Sequence, residues 1–374
     1  MKNTTALVTG AFGFSASHLI CELLARGDRV VGTDLPQSLD NPDQQELVKS
    51  IGMDPQHPNL ELIPANLLDK SSLEKVFEKA GKVNNLFHTA SLYDYRASLE
   101  VLRKVNVEGT KNLLEIVAEK KVDRFIHWST CGVFGKPYKK GKKANIPFTE
   151  DSSSPRNSDF GQKQPENTHL VNAYSVSKWE QEQMIWKTHR EQNLPVTVIR
   201  PAPIYGRSSR YGHGGIIVAI AKGFVPAIPS DAKNSITTSV HAQDLARFAI
   251  HVANDPSTIG EDFNVVDNSV ISYQEFLHYI ALLTGRKIIN IPLLPLSLVR
   301  MIAIPMASSW TWLERTFNIP RVRVLEVQSA TYIGSSYWIS NRKSLSTGFQ
   351  YLYPDVKEGL KDTVAWFRKT GWIR

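Results

Sequence analysis

The sequence is poor in cysteine: its 374 residues include two, Cys21 and Cys131. That is too few for a disulfide framework, so a reducing compartment is expected. It also lacks an unbroken apolar run of the about 20 residues that a membrane-spanning helix requires. The strongest candidate, Leu293 to Phe317, is interrupted by Arg300 and Pro305. Strand-like sequence begins within five residues of Met1 and leaves no room for a signal peptide, which makes a cytoplasmic location the expectation. No internal repeat and no low-complexity tract occurs, which argues against a repeat array or a disordered linker. Arginine is missing from the densest basic stretch, KPYKKGKKAN (136–145), whose five lysines are mixed with proline and glycine. The net charge of +8 therefore reads as a solvated lysine loop and not as a nucleic-acid surface. Contact with anionic lipid headgroups is the minority alternative.

What is present is alternation. The short β-branched runs ALVTG, RVVGTD, LELIPAN, NLFHTAS, DRFIHWST and VTVIRPAPIYG are separated by stretches that predict helices over 71–80, 97–119 and 174–190. Strands apolar on both faces and separated by helices indicate a parallel sheet covered on both sides. The expected fold is α/β, a doubly wound dinucleotide-binding sheet with a smaller, mainly helical C-terminal lobe. Residues 1–200 would form the dinucleotide-binding domain, with 236–268 returning to it through the strand-like EDFNVVDN, and 201–235 and 269–374 would form a substrate lobe. The segment 293–317 would be buried in that lobe, wall an apolar pocket, or lie as a patch on a membrane.

Three local patterns carry chemistry. In ALVTGAFGFSASHLI, Gly10 and Gly13 sit between a strand and a helix start, where backbone N–H groups and the helix dipole favour a pyrophosphate. Asp34 ends the second strand twenty-one residues after Gly13, placed to accept hydrogen bonds from adenosine ribose hydroxyls and to repel a 2′-phosphate. The following residues, LPQ, include no arginine to offset that repulsion, so NAD is expected over NADP. Tyr174 and Lys178 in AYSVSKWEQEQ stand four apart, on one helix face. An ammonium beside a phenol lowers the phenol's pKa and makes it a usable acid/base. In HWSTCGVFG the Ser129 and Thr130 hydroxyls fall at a strand's carboxyl end, where ligands bind in such sheets; capping of the next turn is the alternative role.

Together, TGAFGFSA, Asp34, FHTAS, VNVEGTKNLLE, STCGVFG, YSVSK and VIRPAPIYG occur in the order and spacing of the extended short-chain dehydrogenase/reductase family. The chain resembles that family over nearly its whole length, through TSVHAQDLA and EDFNVVDN to WISNRKSLSTGFQY. The resemblance implies NAD as cofactor. It implies that Gly10, Phe12 and Gly13 form the pyrophosphate turn, with Phe12 closing over it, that Asp34 contacts the ribose, and that Asn66 and Leu67 edge the adenine. Ala90 and Pro201 would lie against the cofactor. Thr130 would orient the substrate oxygen, Tyr174 would be the acid/base, and Lys178 would hold the nicotinamide ribose and tune Tyr174. Asn106 would support a proton-relay water. Two departures stand out: Ala16 replaces the third glycine of the turn, and Asn66 replaces the usual aspartate.

The resemblance also bears on the reaction. Sugar dehydratases of the family follow the strand-end threonine with an Asp-Glu pair, where this chain has Cys131 and Gly132. Nucleotide-sugar enzymes carry an Arg-Asp pair where this chain has Thr237 and Thr238, with Arg207, Arg210 or an arginine of the smaller lobe as substitutes for a diphosphate clamp. FHTASLYDY and the proline-punctuated segment 293–317 are similar to the 3β-hydroxysteroid dehydrogenase branch. The expected enzyme is an NAD-dependent oxidoreductase of a secondary alcohol on a bulky, apolar, sterol- or lipid-like small molecule. A nucleotide-sugar 4-epimerase with tightly bound NAD and a non-catalytic NAD-binding sensor are the alternatives. The expected assembly is a homodimer, with no nucleic-acid partner and with peripheral membrane contact as the lesser possibility.

Overall fold

The computed structural model describes residues 4–94, 97–135, 146–152, 155–162, 170, 172–210, 212–292, 294–317 and 336–374. The lysine-rich stretch 136–145 and Leu293 lie outside them. The strand-like runs become β1 (Thr5–Thr9), β2 (Arg29–Asp34), β3 (Leu60–Pro64), β4 (Asn85–His88), β5 (Arg124–Trp128), β6 (Val196–Pro201) and β7 (Glu261–Val265). They pair in the order β7–β6–β5–β4–β1–β2–β3, every neighbour parallel. β1 therefore stands where the strand order reverses. That is the position at which a doubly wound sheet opens a crevice at its carboxyl edge.

The helices follow local rules. Helix α1 (Phe14–Ala25) begins at Gly13, and α2 (Pro42–Ser50) begins at Asn41, whose side chain accepts from two backbone N–H groups. Helix α3 (Lys70–Ala80) is capped by Asp69 and stopped by Gly81, at φ 67°. The predicted helix over 97–119 is present but broken. It consists of α4 (Leu99–Arg103), a π-helical turn over Lys104–Glu108, and α5 (Gly109–Lys120). Helix α6 (Ala173–Gln192) is capped by the Asn172 side chain and ends at left-handed Asn193. Next come α7 (His213–Ala221), α8 (Ala242–Ala253), α9 (Tyr273–Leu283), α10 (Leu296–Phe317) and α11 (Val356–Lys369).

Each face of the sheet has its own core. Leu19, Ile20 and Leu23 of α1 join Leu245, Phe248 and Ala249 of α8 on one face. Leu113 and Val117 of α5 join Ile185 and Trp186 of α6 on the other. A third core, with Ile217, Ile220, Phe276, Ile280, Leu360 and Phe367, joins α7, α9 and α11. Helix α10 is different. Leu296 and Ala303 are buried, whereas Met301, Ile302 and Met306 are 63%, 51% and 59% exposed, so one apolar face looks outward. Among the described residues no helix is long and apolar enough to cross a membrane.

Candidate active site at the strand-order reversal

The turn after β1 is shaped by what cannot fit there. Gly10 has φ 72°, and a Cβ on it would lie 3.0 Å from the Ala90 Cα. A Cβ on Gly13 would lie 2.9 Å from the Gly10 carbonyl oxygen, which accepts from the Gly13 N–H at 2.8 Å. Helix α1 has no side-chain cap and no acidic residue in its first turn, so no side chain of its own occupies its positive end. A bare backbone cradle beneath an open helix N-terminus fits a pyrophosphate. Ala16, in the third glycine's position, is buried in the core and keeps α1 close to the sheet.

Asp34 ends β2 beside this turn. Its carboxylate accepts from the Phe12 N–H at 2.9 Å and the Leu35 N–H at 2.7 Å. Burial raises its pKa, and those hydrogen bonds oppose the rise. The Phe12 ring packs on the side of the turn that faces the β2–β3 connection. It is buried in the core with Val48 and Met53 and lines a cavity of about 340 Å³ together with Pro36, Leu39, Lys49 and Pro64. Its ring thus anchors the turn to the β2–β3 connection while its N–H fixes Asp34. After β3, the Asn66 side chain accepts from the Leu68 N–H at 3.0 Å, and the Leu67 carbonyl accepts from Asn112 at 2.9 Å. Ala90 donates its N–H to the Thr9 hydroxyl at 3.1 Å.

The other predicted residues come from β4, the π turn, β5 and α6. Asn106, fully buried in the π turn, clasps the Leu92 backbone by accepting its N–H at 2.7 Å and donating to its carbonyl at 3.3 Å. It also donates to the Ser177 hydroxyl at 3.0 Å, tying the loop after β4 to the first turns of α6. Such π turns often mark functional positions. Thr130 caps a 3₁₀ turn over Cys131–Phe134, its hydroxyl oxygen accepting from the Gly132 N–H at 3.0 Å. The capping role read as an alternative is therefore present, and it leaves the hydroxyl hydrogen for another acceptor. Ser129 parts from Thr130: it is buried and donates to Glu182. The Tyr174 ring packs edge-to-face on Tyr93, centroids 5.0 Å apart. Pro201 closes β6 at the same sheet edge.

Lys178 is 1% exposed. Its ammonium donates to the Trp128 carbonyl at 2.7 Å, to the Ser91 hydroxyl at 3.0 Å and to the Gln181 side-chain oxygen. Burial pulls its pKa down to about 7, with Glu182 opposing. Beneath it lies a polar layer that the sequence reading missed. Gln181 donates to Thr110 at 2.7 Å, Thr110 meets His88 Nε2 at 2.8 Å, and His88 Nδ1 meets Thr9 at 2.9 Å. Burial holds His88 neutral, its pKa at about 3. A buried ion-pair chain runs alongside. Arg200 binds Glu182 at 2.5 Å and Asp262 at 2.7 Å, and Glu182 also accepts from Trp186 at 3.0 Å.

The residues proposed for a diphosphate clamp are engaged elsewhere. Arg207 makes a bidentate pair with Asp362, at 2.5 and 3.0 Å. Arg210 lies over the Trp372 ring at 5.9 Å. Thr238 donates to the Tyr337 carbonyl at 2.9 Å, and Thr237 pairs with Ile271 in a short antiparallel ribbon. Cys131 is buried, with its thiol pushed well up by desolvation, so the residue after Thr130 does not supply an acid for an elimination. Among the described residues no cluster of potential ligands could hold a metal ion.

The profile described as NAD dependent epimerase/dehydratase family matches residues 6–265. The chain is 28% identical over 292 residues to the sterol-4-alpha-carboxylate 3-dehydrogenase, decarboxylating, of Bos taurus, covering 76% of this chain and 70% of that protein. It is likewise 28% identical over 304 residues to the UDP-N-acetyl-alpha-D-glucosaminuronate decarboxylase of Bacillus cytotoxicus, covering 76% and 83%. In fold it is similar to the UDP-glucuronic acid 4-epimerase of Bacillus cereus in complex with NAD. The TM-score is 0.70 at 18% identity, over 98% of this chain and 99% of that one.

Proposed function

The chain belongs to the NAD-dependent epimerase/dehydratase family, within the extended short-chain dehydrogenases/reductases, and we propose that it oxidises or reduces a secondary alcohol or ketone on a bulky, apolar, sterol- or lipid-like molecule. The observation that carries this reading is the fate of Arg207 and Arg210. A diphosphate calls for a free, bidentate guanidinium; Arg207 is committed to Asp362, and the exposed Arg210 rests against the Trp372 ring at 5.9 Å. The likeness to a sterol dehydrogenase supports the same substrate class. Residues 1–200 with 236–268 would bind the cofactor, and 201–235 with 269–374 the substrate.

In this reading the Gly10–Gly13 turn and the first amides of α1 hold the pyrophosphate, Asp34 holds the adenosine ribose, and Asn66, Leu67, Ala90 and Pro201 line the remaining length. When bound, NAD supplies the hydride acceptor. Thr130 donates its hydroxyl hydrogen to the substrate oxygen, and Tyr174 takes the alcohol proton. Lys178, four residues on and one helical turn away, favours the phenolate. Ser91 can accept from Lys178 and donate onward, so it links Lys178 to the nicotinamide ribose although all three ammonium hydrogens have protein acceptors. Asn106 fixes the loop carrying Ser91.

The test is a turnover panel monitored by NADH formation. Hydroxysteroid-like or lipid-like alcohols should react and nucleotide sugars should neither react nor protect against heat. A 4-epimerase is the second reading, favoured by the likeness to a UDP-sugar decarboxylase. Epimerisation of a nucleotide sugar without release of NADH would establish it and end the first. Membrane contact by α10 is part of the proposal: Ile302→Asp should reduce liposome binding and leave NADH affinity unchanged. Assembly as a homodimer is also part of it and is checked by sedimentation.

A further inference from the structure

We propose that Gln181 is a positioning residue that places Lys178 and keeps its side chain in the charged form, through a buried layer anchored on Thr110 and His88; this rests on the role given to Lys178 above. Lys178 and Gln181 lie three apart on α6, and both are buried. A lysine ammonium only donates, so its three hydrogens need three acceptors. Two come from the Trp128 carbonyl and the Ser91 hydroxyl, and the third is the Gln181 oxygen.

The orientation of the Gln181 amide is determined. Its nitrogen faces Thr110 at 2.7 Å and His88 Nε2 at 3.4 Å. A flipped amide would aim its NH₂ at the ammonium, donor against donor. Either neutral tautomer of His88 is compatible with this: His88 donates to Thr110, or it accepts from Thr110 and Gln181. His88 in turn meets Thr9, which accepts the Ala90 N–H. The layer thus spans β1, β4, α5 and α6 at the point where the strand order reverses.

The charged groups around Lys178 leave this task to Gln181. Glu182, on its own helix, is bound by Arg200 of β6, Ser129 and Trp186. His88 of β4 and His127 of β5 are buried and neutral, their rings 5.6 Å apart. Tyr174 is the remaining titratable group on α6 beside it. None of these offers Lys178 a free carboxylate, so a neutral amide oxygen does what a carboxylate ordinarily does for a buried ammonium.

The test follows Lys178 directly by NMR titration of [ε-¹³C]lysine-labelled protein, the resonance being identified by its loss in Lys178→Arg. Gln181→Leu, which removes the acceptor, should lower the titration midpoint by about one pH unit or more, and Gln181→Glu should raise it by a similar amount. The pH limb of turnover should move in opposite directions in the two variants. A purely structural role would lower the melting temperature in both and move neither midpoint. Thr110→Val, which frees the amide, should shift the midpoint in the same sense as Gln181→Leu and serves if the Gln181 variants do not fold. Unmoved midpoints in the folded variants overturn the proposal. Shifted midpoints without turnover of any alcohol leave it standing and refute the substrate reading instead.

Discussion

Three glycine-to-alanine variants, one of them a control at the end of α1, separate backbone strain from crowding at the turn after β1. Gly27 has φ 84° and nothing within 4 Å of an added Cβ, so alanine there costs left-handed strain alone, about 1–2 kcal/mol of stability. Gly13 has the reverse problem. Its φ of −64° suits any residue, but the new Cβ would sit 2.9 Å from the Gly10 carbonyl oxygen, a backbone atom that moves only if the turn opens. Overpacking of this kind costs about 1–3 kcal/mol. If the turn receives the pyrophosphate, as proposed, and opens to relieve the contact, the cost appears in binding as roughly a 5- to 150-fold weaker Kd. Gly10 combines both problems, φ 72° and a 3.0 Å approach to the Ala90 Cα, so Gly10→Ala should lose stability and affinity together. Thermal melts and NADH fluorescence titrations read the two quantities separately. Gly27→Ala should lower Tm with Kd unchanged, and Gly13→Ala should weaken Kd with the smaller change in Tm. A Gly13→Ala protein that binds NADH within about twofold of wild type would refute the assignment of this turn.

Asp34→Asn should weaken NADH binding about tenfold, because the carboxylate accepts two backbone N–H groups and an amide offers one oxygen; the discrimination against NADPH should shrink with it, and an unchanged ratio of the two dissociation constants would exclude a ribose contact. Tyr174→Phe should cut turnover by about 10²–10⁴ and leave NADH affinity nearly intact, and more than about a tenth of wild-type activity would remove it from the acid/base role. His213 is buried, and desolvation pulls its pKa from 6.5 to about 4. Between those values the unfolded chain binds a proton that the native state refuses, so stability falls as pH drops, by up to about 1.4 kcal/mol per pH unit. Relative to His213→Phe, wild type should therefore lose stability between pH 6.5 and 4 in denaturant titrations, and a constant difference across that window would contradict the burial argument.

The strands were legible because a parallel strand covered on both faces is a short apolar run wherever it occurs, and all seven such runs pair in one sheet. The glycine turn was legible for a similar reason: a position that excludes Cβ is a local requirement. Errors arose where the deciding partner is distant. Nothing within 97–119 announces the π turn, which accompanies the clasp of Asn106 on Leu92 and Ser177. Ser129 and Thr130 look equivalent in sequence. One remains in the core to meet Glu182, 53 residues on, while the other has passed the strand end.

The least legible part is the buried face of α6. Ser177, Lys178, Gln181, Glu182 and Gln183 are polar and buried, yet in sequence they are indistinguishable from a solvated helix face. The periodicity that reveals a helix assumes that its buried side is apolar, and here the buried side is a hydrogen-bonded layer. Its partners lie 71 residues away at Thr110 and 50 away at Trp128, so no spacing rule reaches them. The consequence is chemical as well as structural. Glu182 is neutralised by Arg200, leaving Lys178 with neutral acceptors and a proton held near neutral pH. In the proposed reading a phenolate at Tyr174 would stabilise the ammonium and the ammonium the phenolate, so the two groups would titrate as a coupled pair and not as separate sites. An apolar face on α6 would have made the helix easier to read and would have removed the acceptors on which that pair depends.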